Sequence, residues 1–261
     1  MPGDRMVDET LTTEPYWRKF WDENSAETIT LRPFSIFQPQ FDRWLPRNPN
    51  WSAIEIGAYP GLHLLALAKS HQYRPVALDF LPRVHELPSV AQRLDIESLE
   101  AIQQDFMTWE TSRRFHVVMS LGFIEHFNNP AEVVGRHWRL VEPGGYLVIS
   151  VPLSSPAQRL IRRLSFTPGK LAELRKTHNS DVMSFSGFSR ICRGNVDGRI
   201  VFLGPVNNMM TWHPSDAPYV KRRWLMRLMA LASYGPRILN WSSRLFSPAV
   251  MMVAQKPKNA P

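Results

Sequence analysis

Short apolar runs separated by longer amphipathic stretches set the rhythm of this chain. The first, Ser52-Ala53-Ile54-Glu55-Ile56, breaks into Gly57-Ala58-Tyr59-Pro60-Gly61 and is followed at once by a helical segment from Leu62 to about Ser70. Pro75-Val76-Ala77-Leu78 comes next and ends in Asp79. The run 99–104 closes on Asp105-Phe106, and Phe115-His116-Val117-Val118-Met119 closes on Ser120-Leu121-Gly122. A helix is expected from Ala131 to Val141, then a turn at Glu142-Pro143-Gly144-Gly145, then a strand over 146–152. Runs without polar alternation are those of strands buried on both faces, and strands interleaved with helices predict a parallel sheet. Strand, tight turn and helix in that order put backbone N–H groups and a helix N-terminus at the carboxyl edge of the sheet, where α/β folds take their ligands.

Beyond Pro152 the pattern changes. Residues 154–178 are basic and read as helical in part, a strand follows at 198–203, and a long amphipathic stretch spans 219–246. In it Trp224, Leu225, Leu228, Met229 and Ala232 share one helix face, away from Arg223 and Arg227. Gly235-Pro236 breaks that helix, and a second apolar segment starts at Ile238-Leu239-Asn240-Trp241. The last strand is expected at 249–255. Ahead of the sheet, Tyr16-Trp17-Arg18-Lys19-Phe20-Trp21 reads as a helix that either closes over a ligand or packs on the outside of the fold.

The strand ends carry the candidate chemistry. Asp79 lies 22 residues beyond Gly57, the distance at which a ribose-binding acid follows a glycine turn. With Asp105 after the third strand, Ser120-Leu121-Gly122 after the fourth and the Pro-Gly-Gly turn before the fifth, residues 50 to 153 resemble the class I S-adenosylmethionine-dependent methyltransferases. The resemblance implies an α/β, Rossmann-like sheet of seven mostly parallel strands with an antiparallel last strand and helices on both faces. It also implies S-adenosyl-L-methionine as cofactor. Glu55, Gly57 and Gly61, with Ala58 and Tyr59 between them, match the motif around the methionine moiety, and Asp79 matches the acid on the ribose hydroxyls. Asp105 matches the acid that accepts from the adenine amino group; Phe106 with Phe80 or Leu81 would pack on the adenine faces. Ser120, Leu121 and Gly122 match the segment under the sulfonium. The chain departs from the commonest pattern at Tyr59, where a middle glycine usually stands, and reads instead as the variant that ends in Pro-Gly.

Rival readings set the limits. A strand-end acid is often only a loop or helix cap. A nicotinamide-binding Rossmann domain shares the turn and the ribose acid, but Asp105 and the Pro-Gly-Gly turn argue against it. For methyl transfer to a hydroxyl, a base is needed, and the Glu125-His126 pair after the fourth strand offers His126. The alternative for that pair is a scaffold role in the pocket wall. No metal is expected there, since Gly122 and Phe123 stand where further ligands would be wanted.

Length and charge refine the picture. The 261 residues suit one methyltransferase domain, with a cofactor core at about 50–153, basic elaborations at about 154–198 and 207–248, and the final strand. The net charge of +8 is unevenly spread: residues 1–158 hold 14 Lys or Arg against 19 Asp or Glu, and residues 159–261 hold 17 against 4. The acceptor side therefore meets something anionic or is simply a solvated basic surface. A small molecule or glycan hydroxyl is the expected acceptor, with anionic or lipid-linked acceptors fitting the charge. Nucleic acid is disfavoured by the lack of an Asn-Pro-Pro-Tyr-like sequence after the fourth strand. The long amphipathic stretch reads as a pocket cover, a dimer contact or a peripheral contact with an anionic membrane face. His178, Asp181, His213 and Tyr219 come from variable segments that build acceptor pockets. The polar N-terminus, the single Cys192 and the lack of a run long enough to span a bilayer suit a cytoplasmic protein.

Overall fold

The first three apolar runs become β1 (Ser52–Ile56), β2 (Arg74–Asp79) and β3 (Glu100–Gln103), paired in parallel with Ile54 opposite Val76 and Ala77 opposite Ala101. A computed structural model describes residues 10–24, 35–207, 217–232 and 242–259. β4 (Phe115–Leu121) lies on the other side of β1, followed by β5 (Val141–Pro152). β7 (Ala249–Gln255) then inserts antiparallel between β5 and β6 (Arg199–Val206). The sheet order is β3-β2-β1-β4-β5-β7-β6, so the strand that comes last in the chain is the one that runs against the rest.

Successive side chains of a strand face opposite ways, and here both faces are covered. Ala53, Val117, Met119, Val148, Met251 and Val253 pack into one core with α2 (Gln38–Trp44), α3 (Leu62–His71) and α4 (Leu87–Arg93). Ile54, Ile56, Val118, Val250 and Met252 pack into the other with α5 (Pro130–Arg139) and α8 (Phe185–Gly194). A third, smaller cluster joins α6 (Pro156–Ser165), α7 (Pro168–Thr177) and α9 (Arg223–Ala232) through Ile161, Phe166, Val220 and Met226. The basic elaborations thus have a core of their own beside the sheet.

Three local differences from the sequence reading have physical causes. The Glu142–Gly145 segment belongs to β5: a register shift opposite Phe115 and Val117 absorbs it, with Gly144 at φ 84° and Gly145 too close to the His116 carbonyl to carry a side chain. α8 has weak intrinsic propensity, with two glycines and three serines or cysteines in ten residues. It forms because Ser184 Oγ caps it, accepting from Gly187 N at 3.0 Å, and because Phe188 and Cys192 are fully buried; burying one such phenylalanine is worth about 2 to 3 kcal/mol. In α9 the face with Trp224 and Leu228 lies in solvent, while Met226 supplies the buried contact. His213, the Gly235-Pro236 break and the segment at Ile238-Leu239-Asn240-Trp241 lie outside the described residues. Among the described residues, no helix is long and apolar enough to cross a membrane.

Candidate functional site

The chain runs outward from β1 to β2 and β3, then returns to β4 on the opposite side of β1. That reversal leaves a crevice at the carboxyl ends of β1 and β4. A cavity of about 640 Å³ opens there. Glu55, Gly57, Ala58, Tyr59, Gly61, Asp79, Phe80, Asp105, Phe106, Leu121, Gly122 and His126 all line it, as does Leu81. Ser120 does not: strand alternation turns its side chain into the core, where Oγ is buried without a hydrogen-bond partner.

The glycine turn is held by the acids around it. Gly57 has φ 68°, and a Cβ on it would lie 2.7 Å from the Phe123 ring; Gly61 has φ 82°, and a Cβ on it would lie 2.8 Å from Leu87. Only glycine fits this path without strain. Glu55 Oε2 accepts from Leu64 N at 3.0 Å in the first turn of α3, satisfying one of the helix's free donors. Asp79 Oδ2 accepts from Tyr59 N at 3.0 Å and its Oδ1 from Leu81 N at 2.9 Å. Asp79 is thus both a loop clasp and part of the cavity wall, and each carboxylate oxygen keeps a lone pair for a ligand hydroxyl. Asp105, at the end of β3, is exposed and accepts from Met107 N at 2.9 Å; the Phe106 ring is buried, 4.5 Å from the His137 ring.

Between the two N-terminal alternatives the structure gives a wall. α1 (Glu14–Asn24) puts Trp17 and Trp21 against the cavity, with Trp21 edge-on to Tyr59 at 5.3 Å and Trp17 edge-on to His126 at 4.9 Å. Leu11 N donates to the His126 carbonyl at 2.7 Å, Thr10 bridges Phe127, and Asp22 pairs with Arg83 at 3.3 Å.

His126 also borders a second cavity of about 1050 Å³, enclosed by α1, α6 and α7, and Trp17 is the other residue common to both. His178 and Tyr219, singled out in the sequence, line this second cavity, whereas Asp181 ion-pairs with Arg190 outside both. The sequence reading did not pick out Arg159, Arg162 and Arg163, which α6 presents to it. Their spacing along one basic helix was visible, but the fold alone brings them to the mouth of the site.

Burial dominates the electrostatics. It raises Glu55 and Glu125 to about 8 and raises Asp79 despite its backbone hydrogen bonds. It lowers His126 to about 3, with the neighbouring His178 acting in the same direction, and lowers His63 and His137 to about 4. His126 Nδ1–H donates to the Thr177 carbonyl at 2.8 Å, so Nε2, 3.8 Å from Glu125 Oε1, carries the lone pair. Among the described residues, no group of three or more His, Cys, Asp or Glu side chains gathers as a metal ion would require.

These shifts predict an alkaline loss of stability. Folded Glu55 and Glu125 keep their protons up to about pH 8, while unfolded glutamates lose theirs near 4.5, so their contribution is full below 4.5 and is lost as pH rises to 8. Above pH 6.5 His63, His126 and His137 are mostly neutral in both states and add little. Between pH 6.5 and 8 each carboxyl should withdraw roughly 2 kcal/mol, at 1.36 kcal/mol per unit. The melting temperature of the free protein should fall across that window; a rise would contradict the assignment.

A family profile described as a methyltransferase domain matches residues 30–193. Comparison with curated protein sequences gives no match. Among solved structures, the chain is similar to a putative methyltransferase from Bacillus halodurans C-125, at 15% identity over 84% of this chain and 98% of that one, with a TM-score of 0.57. It is also similar to a Haloferax volcanii complex of the Trm112 methyltransferase activator and a putative methyltransferase (14% identity, 91% and 96% covered, TM-score 0.61). A third similar structure is the plantazolicin methyltransferase BpumL in complex with S-adenosylhomocysteine (13%, 94% and 92%, TM-score 0.55). At these identities the structures speak for the fold alone, and the profile, which covers more than half of the chain, speaks for the family. The chain belongs to the methyltransferase-domain family of the class I, S-adenosylmethionine-dependent group.

Proposed function

We propose that the protein moves a methyl group from S-adenosyl-L-methionine to a hydroxyl of a small molecule or glycan, with His126 taking the hydroxyl proton. The observation that carries this reading is the meeting of two cavities at Trp17 and His126, one at the switch point of the sheet and one outside it. The residues of the first cavity fit the cofactor. Gly57 and Gly61 give the turn beside it its positive-φ path, Glu55 offers a carboxyl to an ammonium group, Asp79 has lone pairs for vicinal hydroxyls, and Asp105, Phe80 and Phe106 make a wall for a purine. S-adenosylhomocysteine bound to the similar BpumL structure supports the same cofactor.

The cofactor supplies an electrophilic methyl group. The chain's own part is to hold the acceptor oxygen in line with it, to exclude water and to accept one proton. α1 covers the junction, and His126 Nε2 is the acceptor atom placed there. Calorimetry should show S-adenosylhomocysteine binding and no NAD binding, and NAD binding alone would overturn the reading. Cell extract incubated with isotopically labelled S-adenosylmethionine and the protein, then resolved by mass spectrometry, would name the acceptor.

The second reading is a cofactor-binding protein without turnover, acting as a scaffold at a membrane surface or on another protein. Two observations favour it. The burial that holds His126 near 3 makes it a weak base, and Trp224, Leu228 and Leu231 stand in solvent beside Lys221, Arg222 and Arg223. Label appearing in any extract component decides against it.

A further inference from the structure

The second cavity is notable for which polar groups line it. Arg159, Arg162, Arg163, Lys170 and Arg175 border it, and among the described residues no Asp, Glu, Asn or Gln does. Lysine and arginine donate hydrogen bonds and accept none, so the charged groups of this wall cannot accept from the hydroxyls of a neutral sugar. It can receive oxyanions.

Arg162 is the informative member. Its Nε is buried with no hydrogen-bond partner, and it forms no ion pair with a described carboxylate. Lys170, by contrast, is already matched by Glu173 at 2.6 Å, and Arg159 donates to the Ser154 carbonyl at 2.6 Å. A guanidinium keeps its charge in a protein, so a half-buried one without a counter-ion is a site whose partner arrives from outside. The apolar part of the lining includes Leu160, Leu171 and Leu174 along the same helices, and Leu160 is 58% exposed at the rim; Ser154, Ser180, His178 and Tyr219 add neutral polar groups.

We propose that this cavity binds an amphiphilic anion, a carboxylate or phosphate monoester on an apolar body, with Arg162 as its principal counter-charge. That this anion is the methyl acceptor rests on the methyltransferase reading, since His126 and Trp17 join the cavity to the cofactor side. The anionic group sits on α6, the apolar body lies along α6 and α7, and a hydroxyl further along that body reaches His126. The class so defined is a hydroxylated acid or phosphorylated alcohol with a hydrocarbon or aromatic portion, whose charge a neutral glycan lacks.

Equilibrium dialysis with three probes that share a dodecyl chain, each kept below its micellar or solubility limit, tests this: dodecyl phosphate, dodecanol and dodecyltrimethylammonium. The wild type should hold dodecyl phosphate at least about tenfold more tightly than dodecanol and should reject the cation. Arg162→Met, which keeps the apolar volume, should erase most of that preference, and Arg162→Lys should keep part of it. Arg199→Met removes one charge from the far edge strand and should leave the preference intact. Without ligand, Arg162→Met should melt no lower than the wild type, because it removes an unpaired buried charge. Equal retention of phosphate and alcohol, an unchanged preference in Arg162→Met, or an equal loss in Arg199→Met overturns the proposal. So does binding to phosphatidylglycerol vesicles without binding of monomeric dodecyl phosphate, which would put the anion at a bilayer surface. S-adenosylhomocysteine calorimetry on the same preparations separates the two readings. Cofactor binding without anion preference sinks only this inference, and anion preference without cofactor binding sinks only the methyltransferase reading.

Discussion

Replacing His126 by alanine should lower turnover about 100-fold or more at saturating cofactor while leaving S-adenosylhomocysteine affinity within about twofold. The imidazole is fixed from three sides: its Nδ1–H is held by the Thr177 carbonyl, Trp17 stands edge-on at 4.9 Å, and the His178 ring lies at 4.6 Å. Nε2 is therefore presented in one orientation and in one tautomer. With its pKa near 3 the ring is neutral throughout the physiological range, so as the proposed base it would accept a proton only as the acceptor oxygen gives up electron density to the methyl group. The acid limb of kcat should consequently stay flat from about pH 7 down to about pH 5, where an ordinary histidine base would titrate. If the variant loses cofactor affinity but turns over normally at saturation, the imidazole is wall and nothing more.

Replacing Asp79 by alanine should weaken S-adenosylhomocysteine binding by about 1 to 3 kcal/mol, roughly 5- to 150-fold, the range for hydrogen bonds to a charged group. The same change should cost stability, because Tyr59 N and Leu81 N both lose a buried acceptor. For a chain of this size each 1 kcal/mol lowers the melting temperature by about 2 to 4 °C. The Asp79→Asn variant would keep one backbone acceptor and give up the charge, so it separates the clasp from the ligand contact. Affinity that tracks melting temperature through both variants would assign Asp79 to the loop alone.

The sheet and the turn were legible because their signals are local. β1, β2 and β4 are buried on both faces, so each reads as an unbroken apolar run, and the acids at their ends stand at fixed distances from Gly57. What was not legible depends on segments meeting. Ser120 directly precedes the cavity residues Leu121 and Gly122, and only the phase of the strand decides that Leu121 faces the cavity and Ser120 the core. The apolar periodicity of α9 is real, yet Trp224 and Leu231 are exposed while Met226 is buried, because a pattern marks an apolar face without saying what covers it. The isolation of Arg162 is of the same kind: three arginines on α6 look like a solvated stripe, and only the packing of α6 shows that Arg162 is half-buried while Arg159 and Arg163 stay exposed.

The way α1 is fastened has a kinetic consequence. Its lead-in is tied to the carbonyl of His126 and bridged to Phe127, the segment that aims the imidazole, and its Trp17 walls both cavities. In the proposed reaction, any displacement of α1 that widens the junction would therefore also loosen the segment that holds the His126 imidazole. On that reading access and base alignment are coupled, so water entering with α1 displaced would meet no aligned base to help it consume the methyl group.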